Sequence, residues 1–431
     1  MPWLSSERLT AWHNLAPPAR VPGQVTGDHD QLRVVAGGRS PIAVTEPARS
    51  RSSCCSAMYP AVGGERLGSC GAQSARQMSA LPVQPMMFRP GRCPGDRLPC
   101  HTLPGCLVSM VRASAGRERD VVRVLVAGGS GAIGRRLVPQ LVARGHQVTA
   151  TTTSAGKLGL LEQLGAEGVV MDGLDAVSVG EAVAAAGPDV IVHQMTALSV
   201  AHAGKPDFRH PERFGALTNR LRTEGTDHLL AAAEATGVSR VVAQSVATWP
   251  ANRDDGLVTE EERLAPRELP AKMRIMAEPL RHVEDVVVKA GGTVLRYGAF
   301  YGPGGGVQAQ IELVRKRRLP IVGGGTGYFS WVHLDDAAGA TVLAVEQRVS
   351  GVFNIVDDDP APVSEWLPHL AACLGAKRPL RIPAWLIRPL AGEMGMAIMT
   401  QGRPFSNAKA KRELGWTLRY PTWREGFKEE A

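Results

Sequence analysis

Three glycines, Gly128, Gly131 and Gly134, recur at a spacing of three residues directly after a short apolar run at 124–127. An apolar pattern with helical spacing begins at Ile133, so the glycines lie between a predicted strand and a predicted helix. Free backbone N–H groups and the positive end of a helix dipole attract anions, and glycine lets a bulky anion approach the backbone. The chemistry expected here is the binding of a dinucleotide pyrophosphate. The predicted contacts are Gly128, Gly131, Ala132, Ile133, Gly134 and Arg135.

The second predicted strand indicates which dinucleotide is bound. It ends in TATTTSAGK, residues 149–157, and no carboxylate follows before Glu162. An acid at this point would bind the ribose hydroxyls of NAD(H) and repel the 2′-phosphate of NADP(H). Thr153 and Lys157 would instead accept that phosphate, and Arg135 adds a second positive charge. We therefore favour NADP(H), with NAD(H) possible; the alternative interpretation is a polar loop with solvated cations.

Short strands and helices alternate from residue 121 onward and position the glycine turn. Repeated βαβ units with short connections predict an α/β fold, a doubly wound parallel sheet of the Rossmann type with helices on both faces. The strand patterns lie at 124–127, 148–152, 168–171, 189–193, 240–245 and 292–297. The helical patterns after the first helix lie at 157–164, 177–186, 211–235 and 272–289.

The alternation changes after residue 302. Glycine and proline cluster at 302–306, and prolines recur as far as residue 389. We expect residues 121–300 to form the NAD(P)-binding Rossmann domain. Residues 301–431 are expected to form a smaller, irregular substrate lobe, whose late strands and helices return to the Rossmann core.

The first 120 residues differ in composition from the rest of the chain. They hold fourteen arginines and no lysine, thirteen of the 31 prolines and six of the seven cysteines, with no sustained helical or strand period. This composition predicts a disordered extension or sequence upstream of the native start; a targeting segment is the alternative. The segment carries +6 (fourteen arginines minus eight acidic residues) of the formal charge of +8. The remainder is nearly neutral, so nucleic-acid binding is not expected.

Cysteine usage and hydropathy bear on the compartment. Cys373 is the only cysteine after residue 120, no run of eighteen apolar residues occurs, and the earlier cysteines lack a paired C-x-x-C spacing. No disulfide, metal site or membrane span is therefore expected. We expect a cytoplasmic protein, a monomer or homodimer, whose partner is a small-molecule substrate.

Seven segments of this chain are similar to segments of one protein family and occur in the same order. They are AGGSGAIG at 127–134, MDGLD at 171–175, VIVH at 190–193, TEGTDHLLAAAEATGV at 223–238, LRYGAFYGPG at 295–304, FSWVHLDDAA at 329–338 and RELGWTLRYPTWREGF at 412–427. These segments resemble the NAD(P)-dependent epimerase/dehydratase family, the extended short-chain dehydrogenases/reductases. The resemblance implies that Asp172 or Asp175 faces the adenine amine and that His193 ends the strand beside the nicotinamide.

The chain departs from this family at the residues that would move protons. The family has a tyrosine, followed four residues later by a lysine that lowers the tyrosine pKa toward neutrality. None of the five tyrosines here has a lysine at that distance. Aligned by Glu284, the two expected positions hold Met276 and Leu280, whose side chains cannot exchange a proton. On the central helix the family often has asparagine where this chain has Arg222, and Asn219, one turn earlier, is a substitute.

One hydroxyl of the family's site is retained. Ser245, at the end of the fifth strand, occupies the position of a residue that hydrogen-bonds the reacting oxygen, and Trp249 that of a nearby aromatic residue. The alternative for Ser245 is a strand-end hydroxyl that satisfies local backbone. Tyr301, in the turn that enters the substrate lobe, is the predicted substitute for the missing tyrosine acid. The alternative interpretation is that its ring only packs beneath the lobe. Further substitute acids are His193, His282 and Glu278.

The resemblance implies an NAD(P)-dependent oxidoreductase of an atypical kind, acting on a small carbonyl or hydroxyl compound. In this hypothesis the cofactor carries the hydride and Ser245 polarises the substrate oxygen. Two alternatives stay open. The missing tyrosine–lysine pair favours a non-catalytic module that senses NADP(H). An epimerase or dehydratase is the other alternative, although those reactions depend more strongly on the missing tyrosine.

Overall fold

Parallel strands joined by helices make up the part of the chain that carries the glycine turn. The computed structural model describes residues 121–198, 210–248, 256–264, 269 and 271–430, and the predicted extension at 1–120 lies outside these residues. The strands within them are β1 (Arg123–Ala127), β2 (Gln147–Thr152), β3 (Glu167–Val170), β4 (Val190–His193), β5 (Val241–Val246), β6 (Thr293–Tyr297), β7 (Ala299–Tyr301), β8 (Ile321–Val322), β9 (Tyr328–Phe329), β10 (Trp331–His333), β11 (Gly351–Ile355), β12 (Ala361–Pro362) and β13 (Arg381–Ile382).

Seven of these strands form one parallel sheet in the order β11-β6-β5-β4-β1-β2-β3. All six strands predicted from the sequence belong to it, which confirms the doubly wound α/β fold. The chain adds β2 and β3 on one side of β1 and β4 to β6 on the other. The carboxyl ends of β1 and β4 therefore border the crevice where ligands bind in such sheets.

Helices connect the strands and cover both faces of the sheet. They are α1 (Gly134–Ala143), α2 (Leu158–Gln163), α3 (Ala176–Ala186), α4 (Pro211–Phe214), α5 (Ala216–Arg222), α6 (Glu224–Thr236), α7 (Ala271–Lys289), α8 (Gln308–Arg315), α9 (Leu334–Glu346), α10 (Val363–Cys373), α11 (Ala384–Thr400), α12 (Ala408–Leu414) and α13 (Trp423–Gly426), with 3-10 turns at Ala155–Lys157 and Phe427–Glu430.

The prediction of a single helix at 211–235 is wrong in one respect, because the structure divides this segment into α4, α5 and α6. The breaks fall at Gly215 and at Thr223, whose backbone leaves helical geometry at φ −93° and ψ −81°. Both the backbone N–H and the hydroxyl of Thr223 donate to the Asn219 carbonyl, at 3.0 and 3.1 Å.

The two faces of the sheet have separate cores. Val124 and Val126 of β1 belong to a cluster that includes α1 and α9, whereas Leu125 and Ala127 belong to a cluster that includes α3 and α6. Successive side chains of a strand point to opposite faces, and parallel strands buried on both faces are apolar throughout. This explains why the apolar run at 124–127 has no polar alternation.

A third, aromatic cluster lies away from the sheet. It includes Tyr301, Trp331, Trp423 and Phe427, and it packs around α10. By contrast α9, β11 and α12, which also come late in the chain, pack in the sheet core. The division into a Rossmann domain and a substrate lobe at 301–431, with late elements that return to the core, stays a prediction.

No helix of the described residues is long and apolar enough to cross a bilayer. In the same part of the chain no group of three or more histidine, cysteine, aspartate or glutamate side chains has the arrangement of a metal site.

Candidate functional site

The glycine turn joins β1 directly to α1, and its three predicted glycines have different surroundings. Gly128 has φ +92°, and a Cβ there would lie 2.8 Å from the Gln194 carbonyl oxygen. A Cβ at Gly134 would collide with the backbone of Gly129. At Gly131 a Cβ would meet only the Gly128 carbonyl oxygen, at 3.2 Å. The first and third glycines therefore allow tight packing, and the second leaves open space beside the backbone.

Backbone donors at this turn are available to an anion. Among the described residues, the N–H groups of Ala132 and Ile133 make no hydrogen bond, and the N–H of Gly131 donates to the Gly128 carbonyl at 3.0 Å. Helix α1 begins at Gly134 without a side-chain cap and with no acidic residue in its first turn. Unused donors at a helix N-terminus fit a pyrophosphate.

The end of β2 lies beside the turn and carries hydroxyls. The Thr151 hydroxyl accepts from the Gly128 N–H at 3.2 Å, and the Ser130 hydroxyl donates to the Thr152 hydroxyl at 3.1 Å. The Arg135 Nε donates to the Ser130 carbonyl at 3.0 Å, which keeps this exposed guanidinium next to the turn. Thr153 follows as an exposed residue and Lys157 is half-buried. The structure thus brings Arg135 and the β2 end together.

Asp172 follows β3 at the same edge of the sheet. Its Oδ1 accepts from the Leu174 N–H at 2.9 Å, and the residue is exposed. Asp175, the other acid of this segment, caps α3 by accepting from the Val177 N–H at 3.0 Å. Asp172 is therefore the one of the two whose side chain is not part of a helix cap, and its contact with adenine stays a prediction.

His193 ends β4 and is buried. Its Nδ1 accepts from the Met195 N–H at 3.2 Å, and its Nε2 lies 3.1 Å from the Thr226 hydroxyl, which donates to the Arg222 carbonyl at 2.7 Å. Burial lowers the pKa of His193 to about 4, so the ring is neutral at pH 7, with its proton on Nε2. The ring links β4 to α5 and α6, and its contact with a cofactor stays a prediction.

Ser245 is buried, with 1% of its surface exposed, and its hydroxyl donates to Glu284 Oε1 at 2.8 Å. Glu284, on α7, also accepts two hydrogen bonds from Arg296 of β6, at 2.8 and 2.7 Å. The only proton of the Ser245 hydroxyl thus points to a buried carboxylate. Sequence reasoning used Glu284 only to align the helix, and its contact with Ser245 depends on how α7 packs against β5.

Met276 and Leu280 lie on α7, and both side chains are buried. The Asn219 Nδ2 donates to the Ile275 carbonyl at 2.9 Å and lies 3.7 Å from the Met276 sulfur. The position where the resemblance places a tyrosine hydroxyl therefore holds a thioether next to an amide. Trp249 lies outside the described residues.

Tyr301 is enclosed in the aromatic cluster, with ring centroids 5.2 Å from His333 and 5.5 Å from Phe427. Its hydroxyl is buried with no hydrogen-bond partner in the described part of the chain, and burial raises its pKa. These surroundings support the packing alternative, and we leave Tyr301 out of the proposed site. Of the other substitute acids, His282 contacts Asp227 at 2.7 Å and Glu278 is exposed.

Arg222 is the residue whose environment the sequence did not indicate. It is only 6% exposed, and its Nε has no hydrogen-bond partner within the described residues. The one available signal was the arginine in place of the asparagine of the resembled family.

A model of the NAD dependent epimerase/dehydratase family matches residues 124–356. The chain is 42% identical to a 3-diazoavenalumate denitrifying reductase of a Streptomyces species, over 72% of this chain and 100% of that protein. It is 28% identical to human epimerase family protein SDR39U1, over 65% of this chain and 90% of that protein.

Solved structures agree in fold. The crystal structure of human SDR39U1 (isoform 2) with NADPH has a TM-score of 0.54 and 21% identity, and covers 71% of this chain and 98% of its own. The structure of UDP-glucose 4-epimerase from Thermotoga maritima with UDP-glucose has a TM-score of 0.56 and 24% identity, and covers 71% and 96%.

Proposed function

This chain belongs to the NAD dependent epimerase/dehydratase family, and within it we propose an NADP(H)-dependent reductase that transfers hydride to a small molecule. The observation that carries the proposal is the glycine turn, whose unused N–H donors lie beside a β2 end without a carboxylate. The 42% identity to a reductase over that protein's full length supports the direction of the reaction.

In this proposal the bound cofactor supplies the hydride, and the chain holds it in place. The backbone from Gly131 to Gly134 binds the pyrophosphate. Thr153, Lys157 and Arg135 bind the 2′-phosphate. Asp172 stays the proposed adenine contact, and His193 closes the pocket at the nicotinamide end as a neutral ring.

The substrate class follows from the side chains of α7. Met276 and Leu280 cannot protonate an oxygen, so we propose an acceptor whose reacting atom needs no proton. The name of the Streptomyces relative describes reductive removal of nitrogen from a diazo-substituted carboxylate. Hydride addition to the terminal nitrogen of an aryldiazonium forms an N–H bond. The C–N bond then breaks, N₂ leaves and the hydrogen ends on carbon, so no outside proton is consumed.

The test measures NADPH oxidation by the full chain with 3-diazoavenalumate and with a panel of aldehydes and ketones. We expect oxidation coupled to N₂ release with the diazo compound. Turnover of carbonyl compounds but not of the diazo compound would show that the substrate is a small carbonyl compound, as the sequence predicts. Tight NADPH binding without turnover of any compound would favour the second candidate, a sensor, which the buried Met276 and Leu280 already support.

NADPH is expected to bind at least about tenfold more tightly than NADH, since one charge-assisted hydrogen bond contributes about 1.5–3 kcal/mol. Lys157→Glu should weaken NADPH binding and leave NADH binding unchanged. Lys289→Glu is the matched control, because Lys289 is an exposed lysine at the end of α7. Titration of intrinsic fluorescence measures all six dissociation constants, and tighter binding of NADH by the wild type would refute the preference.

With a carbonyl substrate, Ser245→Ala is expected to lower kcat by about 10²–10³ if the hydroxyl turns from Glu284 toward the reacting oxygen, as for loss of one donor to a developing oxyanion. With the diazo compound no oxyanion develops, so kcat should stay unchanged. NADPH affinity should stay unchanged, because Ser245 lies at the end of β5, away from the phosphates. A purely structural hydroxyl would lower Tm and leave kcat intact. Measuring kcat and Tm together separates the two roles.

A further inference from the structure

Arg222 carries a buried positive charge that no side chain of the described residues neutralises. The residue is 6% exposed, and in the described part of the chain its side chain has neither an ion pair nor a hydrogen bond. Burial lowers its pKa to about 10, and no carboxylate within 121–198, 210–248, 256–264 or 271–430 acts against this shift. The guanidinium still carries its charge at pH 7, because that value is well above 7. Charged groups in protein interiors are normally paired, because the charge is costly to remove from water.

Arg296 shows how the same chain treats a buried arginine with a structural role. It is 2% exposed, and Glu284 accepts two hydrogen bonds from it, at 2.8 and 2.7 Å. Its third nitrogen donates to the Glu262 carbonyl at 3.0 Å. Among the described residues Arg222 has no such set of partners, so its charge is available to a bound anion.

The position of Arg222 is next to the expected reacting centre. It is the last residue of α5, and its positive charge is close enough to lower the pKa of His193 at the end of β4. Asn219, one turn earlier on the same helix face, reaches the backbone beside Met276 on α7. The charge of Arg222 therefore lies near His193 at the end of β4, on a helix that also contacts α7.

We propose that Arg222 binds a carboxylate of the substrate, so that the enzyme acts on an organic acid. The inference rests on the proposed reductase function, whose substrate class it narrows. A planar guanidinium offers paired N–H donors that match the two oxygens of a carboxylate. The cofactor phosphates are the other source of anionic oxygen. They are assigned to the glycine turn and to β2, however, and β2 and β4 lie on opposite sides of β1.

The test uses benzoate as the probe, with benzamide as its neutral counterpart and sodium chloride at matched ionic strength. Thermal unfolding of the full chain is followed in the presence of NADP⁺. Benzoate should raise the Tm of the wild type by at least about 2 °C, and benzamide should not. Arg222→Met should lose this shift, Arg222→Lys should keep part of it, and Arg220→Met should behave as wild type. Arg220 is the matched control because it is exposed and paired with Glu224 on the same helical segment.

Stability without ligand gives a second readout. Arg222→Met should have a Tm equal to or above that of the wild type, because the substitution removes an unpaired buried charge. Its Kd for NADPH should stay within about twofold of the wild type, far less than the tenfold change that 1.4 kcal/mol represents.

Three results would overturn the proposal. The first is a benzoate shift in Tm that is absent from the wild type or survives in Arg222→Met. The second is an Arg222→Met protein that is unfolded or has a Tm well below that of the wild type. The third is a large loss of NADPH affinity in Arg222→Met, which would assign Arg222 to a cofactor phosphate. A benzoate shift that depends on Arg222 in a protein without NADPH turnover would keep the anion site and refute the reductase function.

Discussion

Gly131→Leu is expected to abolish NADPH binding, with a Kd raised by at least about 10²-fold. A Cβ at this position meets only the Gly128 carbonyl, so the leucine side chain extends into the open space that the pyrophosphate would occupy. The fold should survive, because Gly131 does not have a left-handed φ. Fluorescence titration gives the Kd, and thermal unfolding without cofactor shows whether the fold is intact.

Two alanine variants provide the controls for this experiment. Gly131→Ala should keep more of the affinity than Gly131→Leu, because its methyl group, 3.2 Å from the Gly128 carbonyl oxygen, requires that oxygen to shift by only a few tenths of an ångström. Gly134→Ala should lower both stability and affinity, because its Cβ collides with the Gly129 backbone. A Gly131→Leu protein that binds NADPH as the wild type does would show that the cofactor does not lie over this turn.

Arg296→Met is expected to destabilise the fold by about 3–5 kcal/mol, the usual result of removing one partner of a buried ion pair. The substitution leaves the Glu284 carboxylate buried, with Ser245 as its remaining hydrogen-bond donor. The free energy of unfolding is measured by urea denaturation at pH 7. A loss below about 1 kcal/mol, the value typical of exposed pairs, would contradict the buried pair.

The double variant Glu284→Leu/Arg296→Met tests whether Glu284 and Arg296 interact. An apolar replacement of both partners removes the unpaired charge, so the double variant should be more stable than Arg296→Met alone. If the loss of unfolding free energy in the double variant equals the sum of the losses in Glu284→Leu and Arg296→Met, the two side chains do not interact.

Much of the fold could be predicted because its signals are local. The strand runs, the three glycines and their order along the chain are sufficient for a doubly wound sheet. β11 was expected only as a late strand, since GVFNI becomes a strand through its pairing with β6. The break at Thr223 is a change of backbone geometry that the apolar periodicity of 211–235 does not show.

The candidate site was less predictable, because its features depend on distant contacts. Ser245 and Glu284 are separated by 39 residues, and α7 must pack on β5 before they meet. The enclosure of Tyr301 depends on rings as distant in sequence as Phe427. Residue type and spacing alone cannot distinguish an exposed polar side chain from one that packing has enclosed.

The edge position of β11 sets the order in which the nascent chain can fold. Its only neighbour in the sheet is β6, which ends at Tyr297, whereas β11 begins at Gly351. During synthesis the outer edge of β6 stays unpaired while the intervening residues are added, and an unpaired edge is a template for aggregation. A ribosome that pauses in this interval would therefore present an open sheet, the kind of state on which chaperones act.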